Sequence, residues 1–552
     1  MKKLTLILML LSSTAFSQTP PKAAIASSHY LATEAGHKIL AEGGNAFDAA
    51  IAVSSTLAVV EQQSSGIGGG AFWLLHRAKD GKNVMIDGRE TAPGAAHRDM
   101  YLDENGEVDR DKALFGPTAA AIPGEIAGLE HLAKHYGRLP LSQSLQPAIN
   151  AAENGFKAYP RLIRHIKNKK KIIDRYPASQ AIYLPNGKLP ELDQLIIQKD
   201  LAKTLKAVAK HGKAGFYEGK VAKKLVKASK KYGGIWTLDD LKNYQVKERE
   251  PITTTYLGHT LVTASPPSSG GIAIATILNI LSAWDLKEVD AAERVHLVTE
   301  AMRRAYRDRS IYLGDPDFVE IPTQMLTHPY YADGLRAAIN PKKAMPSDLL
   351  PGIGESPKGE DTTHFSIIDT EGNMVSATLT VNTGLASAFI ADGTGVLFNN
   401  EMDDFSAKPG EPNAFGLIGD TANEIAPFKR PLSSMSPTIV MGDDKVAVLG
   451  TPGGSRIITM VLLAILDYFD GNLPESWVSL PRYHHQYLPD KLYAESAAFT
   501  PEMVKSLKAK GHEVKVYDRT WGNMHGVYWN KKSGEVLAAS DPRGTTGKAE
   551  VK

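Results

Sequence analysis

The sequence predicts a mixed helix and sheet chain, α+β in class, built as a large domain or as two intimately packed layers, on three observations. The 552 residues exceed what one small core can use. Residues 362–382 read as a β-hairpin: two β-rich runs joined by the turn Asp369, Thr370, Glu371, Gly372 and Asn373. Residues 123–247 keep a helical pattern throughout. An apolar content of 43% and a charged content of 22% are ordinary for a globular protein.

In chain order, Met1, Lys2 and Lys3 precede a short apolar run, and Ala15 and Ser17 supply small residues for cleavage before Gln18. Residues 1–17 therefore read as a secretory signal peptide, and the mature protein as soluble and periplasmic or secreted. The run is shorter than the about 20 residues a bilayer requires. With no cysteine, disulfides, thiolate metal sites and a cysteine nucleophile are excluded. A net charge of +2 gives no field for nucleic acid. Residues 28–42 have helical spacing and stop at Gly43 and Gly44, and Asn45 caps a second, Ala/Val-rich helix running to Val60. Residues 62–70 are glycine-rich but lack the Lys-Ser/Thr of a phosphate loop, so they read as close backbone approach beside a sheet. A strand at 84–87 ends near Arg89, whose guanidinium suits a carboxylate and equally suits a surface ion pair. The basic run 167–171 reads as a solvated helix face. Pro266 and Pro267 lead into an apolar helix ending at Leu281, and a long helix follows at 291–312. Residues 340–361 carry four prolines and many charges and read as an exposed, mobile linker.

That linker feeds directly into Thr362. A threonine hydroxyl freed by cleavage before it gains an α-amine, and such an amine, with an unperturbed pKa of about 7.7–8.0, is a suitable base for it. The same spacing fits a plain loop before a hairpin. Downstream, residues 397–406 cluster carboxylates with amides and suit a cationic ammonium. They lack the glycine turn of a hard-metal loop. Residues 407–427 form a candidate lid. Gly453 and Gly454 stand at a strand-to-helix turn, which suits a developing oxyanion and also a plain tight turn. His484 and His485 are neighbours on an extended stretch and point to opposite faces, against a shared metal.

The motifs around Asp361-Thr362-Thr363-His364, Asn399-Asn400-Glu401-Met402-Asp403-Asp404, Arg430-Pro431-Leu432-Ser433-Ser434 and Pro452-Gly453-Gly454-Ser455-Arg456 resemble those of the γ-glutamyltransferases. So do Asp87-Gly88-Arg89-Glu90, Gly314-Asp315-Pro316-Asp317 and Pro481-Arg482-Tyr483-His484-His485, and the likeness spans nearly the whole mature chain. The resemblance implies a four-layer αββα sandwich of the N-terminal-nucleophile hydrolase type. It implies self-cleavage between Asp361 and Thr362 into a large subunit, 18–361, and a small one, 362–552, that form one intertwined domain. Thr362 would be nucleophile and N-terminal base, with Thr380 supporting its hydroxyl. Arg89, Ser433 and Ser434 would hold the α-carboxylate of a glutamyl group, and Asn382, Glu401 and Asp404 its α-ammonium. Gly453 and Gly454 would offer oxyanion N–H groups. Glutathione or other γ-glutamyl compounds would be the donors, and water, an amino acid or a peptide the acceptor. Neither a cofactor nor a metal is implied.

One position departs. Phe415 stands in the lid where many bacterial relatives carry a tyrosine that hydrogen-bonds the residue matching Asn382, which implies a looser lid and more hydrolysis. Related acylases take glutaryl groups, which lack the ammonium that Glu401 and Asp404 would hold. Related depolymerases take poly-γ-glutamate, against which the lid argues. An exported amino-acid-binding protein without catalysis would have no need of Thr362.

Overall fold

The structure, a computed structural model, describes residues 19–350 and 362–552. The expected signal segment, linker residues 351–360 and Asp361 lie outside the described residues.

Asn45 starts the helix Ala46–Val60 by accepting from the N–H groups of Phe47 and Asp48, while Asp48 accepts from the N–H of Asn45. A cap of this kind contributes about 1 kcal/mol. Every residue of the helix is buried, which is why small apolar and hydroxyl residues replace a charged face. The helix Tyr30–Ala41 lies close against it. A Cβ at Gly36 would stand 2.8 Å from Val53 and 2.6 Å from Ile25.

The predicted hairpin forms the middle of a seven-stranded sheet, its strands Thr363–Ile368 and Met374–Thr380 pairing antiparallel with Leu379 opposite Thr363. Ala24–Ser27 flanks it on one side; Gly70–Arg77 and then Lys82–Gly88 flank it on the other. A second, six-stranded sheet has Lys445–Gly450 and Thr438–Met441 at its centre. Alternation along Gly70–Arg77 defines the layers. Phe72 and Leu74 join the cluster between the sheets, with Ile439 and Val448 opposite; Trp73 and Leu75 join the cluster that includes Ala46–Val60. Gly270–Leu281 and Ile457–Phe469 cover the outer face of the second sheet. The order helix, sheet, sheet, helix is the αββα sandwich.

Residues 340–350, the described start of the expected linker, are largely exposed, as read, and are anchored at two points: Ser347 is buried, donates its N–H to Asp490 (2.7 Å) and accepts from Arg303, while the Asn340 carbonyl bonds His296 (2.8 Å). These partners come from the helix Ala291–Tyr312 and from Asp490, far along the chain, so local composition does not reveal them. Lys169, read as part of a solvated face, instead lies over the Phe115 ring and donates to the Ala386 carbonyl (3.1 Å).

Candidate active site

Thr362 sits just before the strand Thr363–Ile368 and is buried. A polar anchor fixes this strand start: Thr363 Oγ1 donates to Glu61 (2.6 Å), which also accepts from Ser28 and pairs with Arg161 (3.5 Å). Thr380 closes the neighbouring strand opposite Gly70, and its hydroxyl accepts the Asn382 N–H at 2.8 Å. Glycine is required beside it, because a Cβ at Gly69 would stand 2.1 Å from the Thr380 carbonyl. Asn382 holds a left-handed conformation, φ 76°, and donates to the Asn400 carbonyl (2.8 Å). Its Oδ1 is buried with no hydrogen-bond partner among the described residues.

Arg89 follows the strand Lys82–Gly88 and is fully buried. Its Nε donates to the Pro431 carbonyl (3.1 Å), and its two terminal nitrogens reach Glu401, Asp404 and Glu90, the last at 3.4 Å. Glu401 is oriented through Asn399, which accepts its N–H at 3.0 Å and donates to the carbonyls of Gly68 and Ala121. One cation therefore faces three buried carboxyls. Burial disfavours the Arg89 cation, but Glu401 and Asp404 overcome this and hold its pKa above the ordinary value. Burial raises all three carboxyls against the pull of Arg89, Glu90 to about 8. Among the described residues no second cation pairs with these carboxyls; Arg309 acts on Asp404 without an ion pair.

Across the cavity, Ser433 is fixed by its N–H on the Pro267 carbonyl (2.8 Å), and the buried Ser434 hydroxyl has no partner among the described residues. Gly453 and Gly454 both take positive φ, 143° and 57°, before the helix Ile457–Phe469. Phe415, in the candidate lid, lies against this turn. A Cβ at Gly454 would stand 2.3 Å from the Phe415 ring. Asn413 accepts the N–H groups of Phe415 (3.0 Å) and Leu417 (3.1 Å), Asp403 accepts that of Ala414 (2.9 Å), and Gln486 donates to the Gly416 carbonyl (2.9 Å).

Arg89, Thr362, Thr380, Asn382, Glu401, Asp404, Phe415, Ser433, Ser434 and Gly454 thus line one cavity of about 20 Å³. That is room for little more than a water, so a larger occupant requires the lining side chains to move. Gly453 faces the neighbouring pocket instead. His484 and His485 do point apart: His484 bonds Thr459 (2.9 Å) and Gln486 (2.8 Å), and His485 bonds Asp490 (3.1 Å). Glu90 was missed by sequence reasoning, although its place beside Arg89 was the available signal. Gln486, which holds the Gly416 carbonyl, gave none.

Residues 32–551 match the family described as Gamma-glutamyltranspeptidase. The chain is 42% identical to the glutathione hydrolase proenzyme of Escherichia coli (strain K12), over 94% of this chain and 90% of that protein. It is 44% identical to the glutathione hydrolase proenzyme of Pseudomonas sp. (strain A14), over 89% and 86%. Among solved structures, cephalosporin acylase from Bacillus halodurans superposes with a TM-score of 0.85 at 25% identity, covering 99% of each chain. Helicobacter pylori gamma-glutamyltranspeptidase aligns over 59% of this chain and 94% of its own, at 42% identity and a TM-score of 0.58.

Proposed function

The chain belongs to the gamma-glutamyltranspeptidase family, and we propose that Thr362, freed by self-cleavage after Asp361, is the nucleophile with which it hydrolyses glutathione and transfers γ-glutamyl groups. The observation that carries the substrate reading is the single Arg89 among Glu90, Glu401 and Asp404. A γ-glutamyl head brings an α-carboxylate and an α-ammonium together. Its carboxylate replaces Glu401 and Asp404 on Arg89, with Ser433 and Ser434 as further donors. Its ammonium supplies the missing positive charge to Glu401, Asp404 and the unpartnered Oδ1 of Asn382. A glutaryl group brings no cation and leaves the carboxyl surplus uncompensated.

In this mechanism the Thr362 α-amine takes the proton of its own hydroxyl as Oγ attacks the γ-carbonyl. Thr380 positions that hydroxyl, and the N–H groups of the Gly453–Gly454 turn receive the oxyanion. The amine returns the proton to the departing nitrogen, and cysteinylglycine leaves. Water or an acceptor amine then attacks the γ-glutamyl ester. The names of the two relatives as proenzymes support a precursor cut into chains 18–361 and 362–552. The amino-terminal signal pattern supports export to the periplasm or beyond, and among the described residues no helix is long and apolar enough to cross a membrane.

Asp404→Asn tests the substrate reading. Removing one carboxylate from the ammonium site costs about 1.5–3 kcal/mol, roughly 10- to 150-fold in kcat/KM for γ-glutamyl donors. A matched glutaryl donor, which has no ammonium, loses far less. Equal losses on both donors refute the assignment.

A further inference from the structure

Charge is unevenly spread along this chain. The whole protein carries a net charge of +2, yet residues 199–231 hold eleven lysines against two acids, Asp200 and Glu218, so the remainder is net acidic. No arginine falls in that stretch. It folds as the helix Lys199–His211, one short helical turn at Ala214–Tyr217 and the helix Gly219–Lys231. Lysines recur every three or four positions: Lys199, Lys203, Lys206 and Lys210 on the first helix, Lys220, Lys223, Lys227 and Lys230 on the second. That spacing sets them on one side of each helix. Leu201, Leu205 and Val208, and then Ala222, Leu225 and Val226, are buried on the other.

Both helices pack on residues 391–396, which brings the two charged sides to the same region of the surface. From the first helix, Thr204 donates to the Thr394 carbonyl (2.8 Å), and a Cβ at Gly395 would stand 2.4 Å from the Leu201 nitrogen. From the second, Lys224 donates to the Gly393 carbonyl (2.9 Å) and Lys231 pairs with Asp392 (3.1 Å). Of the eight spaced lysines, Lys203 is matched by Asp200 (2.9 Å) and Lys206 by Glu153. The other six are exposed and make no ion pair among the described residues. Like charges three and four residues apart repel along a helix, so an external counter-charge stabilises this surface.

We propose that this face docks the protein onto a bilayer rich in anionic phospholipid. Charge complementarity selects an anion, and the kind of side chain selects its source. Lysine is a hydrated point charge, whereas bidentate contacts to phosphates and bases are the work of arginine, which the stretch lacks. Single-stranded nucleic acid is held by aromatic rings that stack on its bases. Phe216 and Tyr217, the aromatic residues of this stretch, are buried. Neither helix exposes a large apolar side chain, so the contact is electrostatic and reversed by salt. Export, as proposed above, puts the chain beside such a surface. The inference adds a surface to the γ-glutamyl reading without resting on it, since none of these lysines lines the glutamyl cavity.

The test is co-sedimentation of the purified protein with vesicles of phosphatidylcholine alone or with phosphatidylglycerol added. Two triple variants run beside it: Lys223→Gln with Lys227→Gln and Lys230→Gln, and the same three positions changed to arginine. At low salt, wild type binds the phosphatidylglycerol vesicles and leaves the neutral ones. Salt at about 1 M, where the Debye length is about 3 Å, releases it. Each lysine near an anionic surface contributes about fivefold, so the glutamine variant binds about 100-fold more weakly. The arginine variant keeps the charge and binds at least as well as wild type. Both variants cleave a γ-glutamyl anilide at the wild-type rate, because no residue of the glutamyl cavity changes. Absence of binding to anionic vesicles, or equal binding by wild type and the glutamine variant, overturns the proposal. So does tighter binding of a single-stranded oligonucleotide than of the vesicles at equal phosphate concentration, which makes nucleic acid the partner. Neither result touches the γ-glutamyl reading, which the anilide assay reports separately.

Discussion

Phe415→Tyr adds a hydroxyl to a ring that is already 8% exposed and pressed onto Gly454. The ring shares the glutamyl cavity with Asn382, whose Oδ1 is buried and lacks a partner among the described residues. Tyrosine can donate to that oxygen, closing the lid with one neutral hydrogen bond. Such a bond is worth about 0.5–1.5 kcal/mol, and satisfying an otherwise orphaned acceptor favours the upper half of that range. The closed lid is then favoured about five- to twelvefold over the open one. A tighter lid admits less water to the ester, so the share of hydrolysis falls relative to transfer. Free glutamate and γ-glutamyl-dipeptide are to be quantified from the same reaction at saturating acceptor. An unchanged product ratio contradicts the reasoning. So does a double-mutant cycle in which Asn382→Ala removes nothing more from the tyrosine variant than from wild type.

Two further outcomes follow from buried groups. Glu125 is fully buried, neither carboxylate oxygen has a partner among the described residues, and burial raises its pKa from 4.5 to about 8. Between those values the folded chain keeps a proton that the unfolded chain has released, so stability falls as pH rises, by at most about 1.4 kcal/mol per unit. Glu125→Gln removes that slope. Its thermal midpoint should gain on wild type between pH 5 and pH 8, and parallel curves would falsify the assignment. Gly454→Ala forces a Cβ to within 2.3 Å of the Phe415 ring at a positive φ. It should cost about 1–3 kcal/mol locally and displace the lid, raising the hydrolysis share while circular dichroism stays native. A product ratio like that of wild type would contradict the lid contact.

Much of this fold is legible because its signals are local. The Asn45 cap, the stop after Ala41, the long helix Ala291–Tyr312 and the hairpin beginning at Thr363 each depend on neighbours a few residues away. The cavity residues are legible only through the family motifs, since the geometry joins Arg89 to Glu401 and Asp404 across more than 300 positions. What stayed hidden has the same cause in reverse. Glycines 68 and 69 read as a site of close approach, but their partners, the Leu397 and Thr380 carbonyls, belong to remote segments. Residues 340–350 look like linker by composition and are held by Arg303, His296 and Asp490.

The most direct measurement is the intact mass of the purified protein, wild type beside Thr362→Ala, with γ-glutamyl release assayed on the same samples. Wild type should give two polypeptides, one ending at Asp361 and one spanning Thr362 to Lys552, and should be active. The variant should give one uncut, inactive polypeptide. A wild-type protein that is still a single chain yet releases glutamate at full rate, or a variant that is cut and active, would contradict the account.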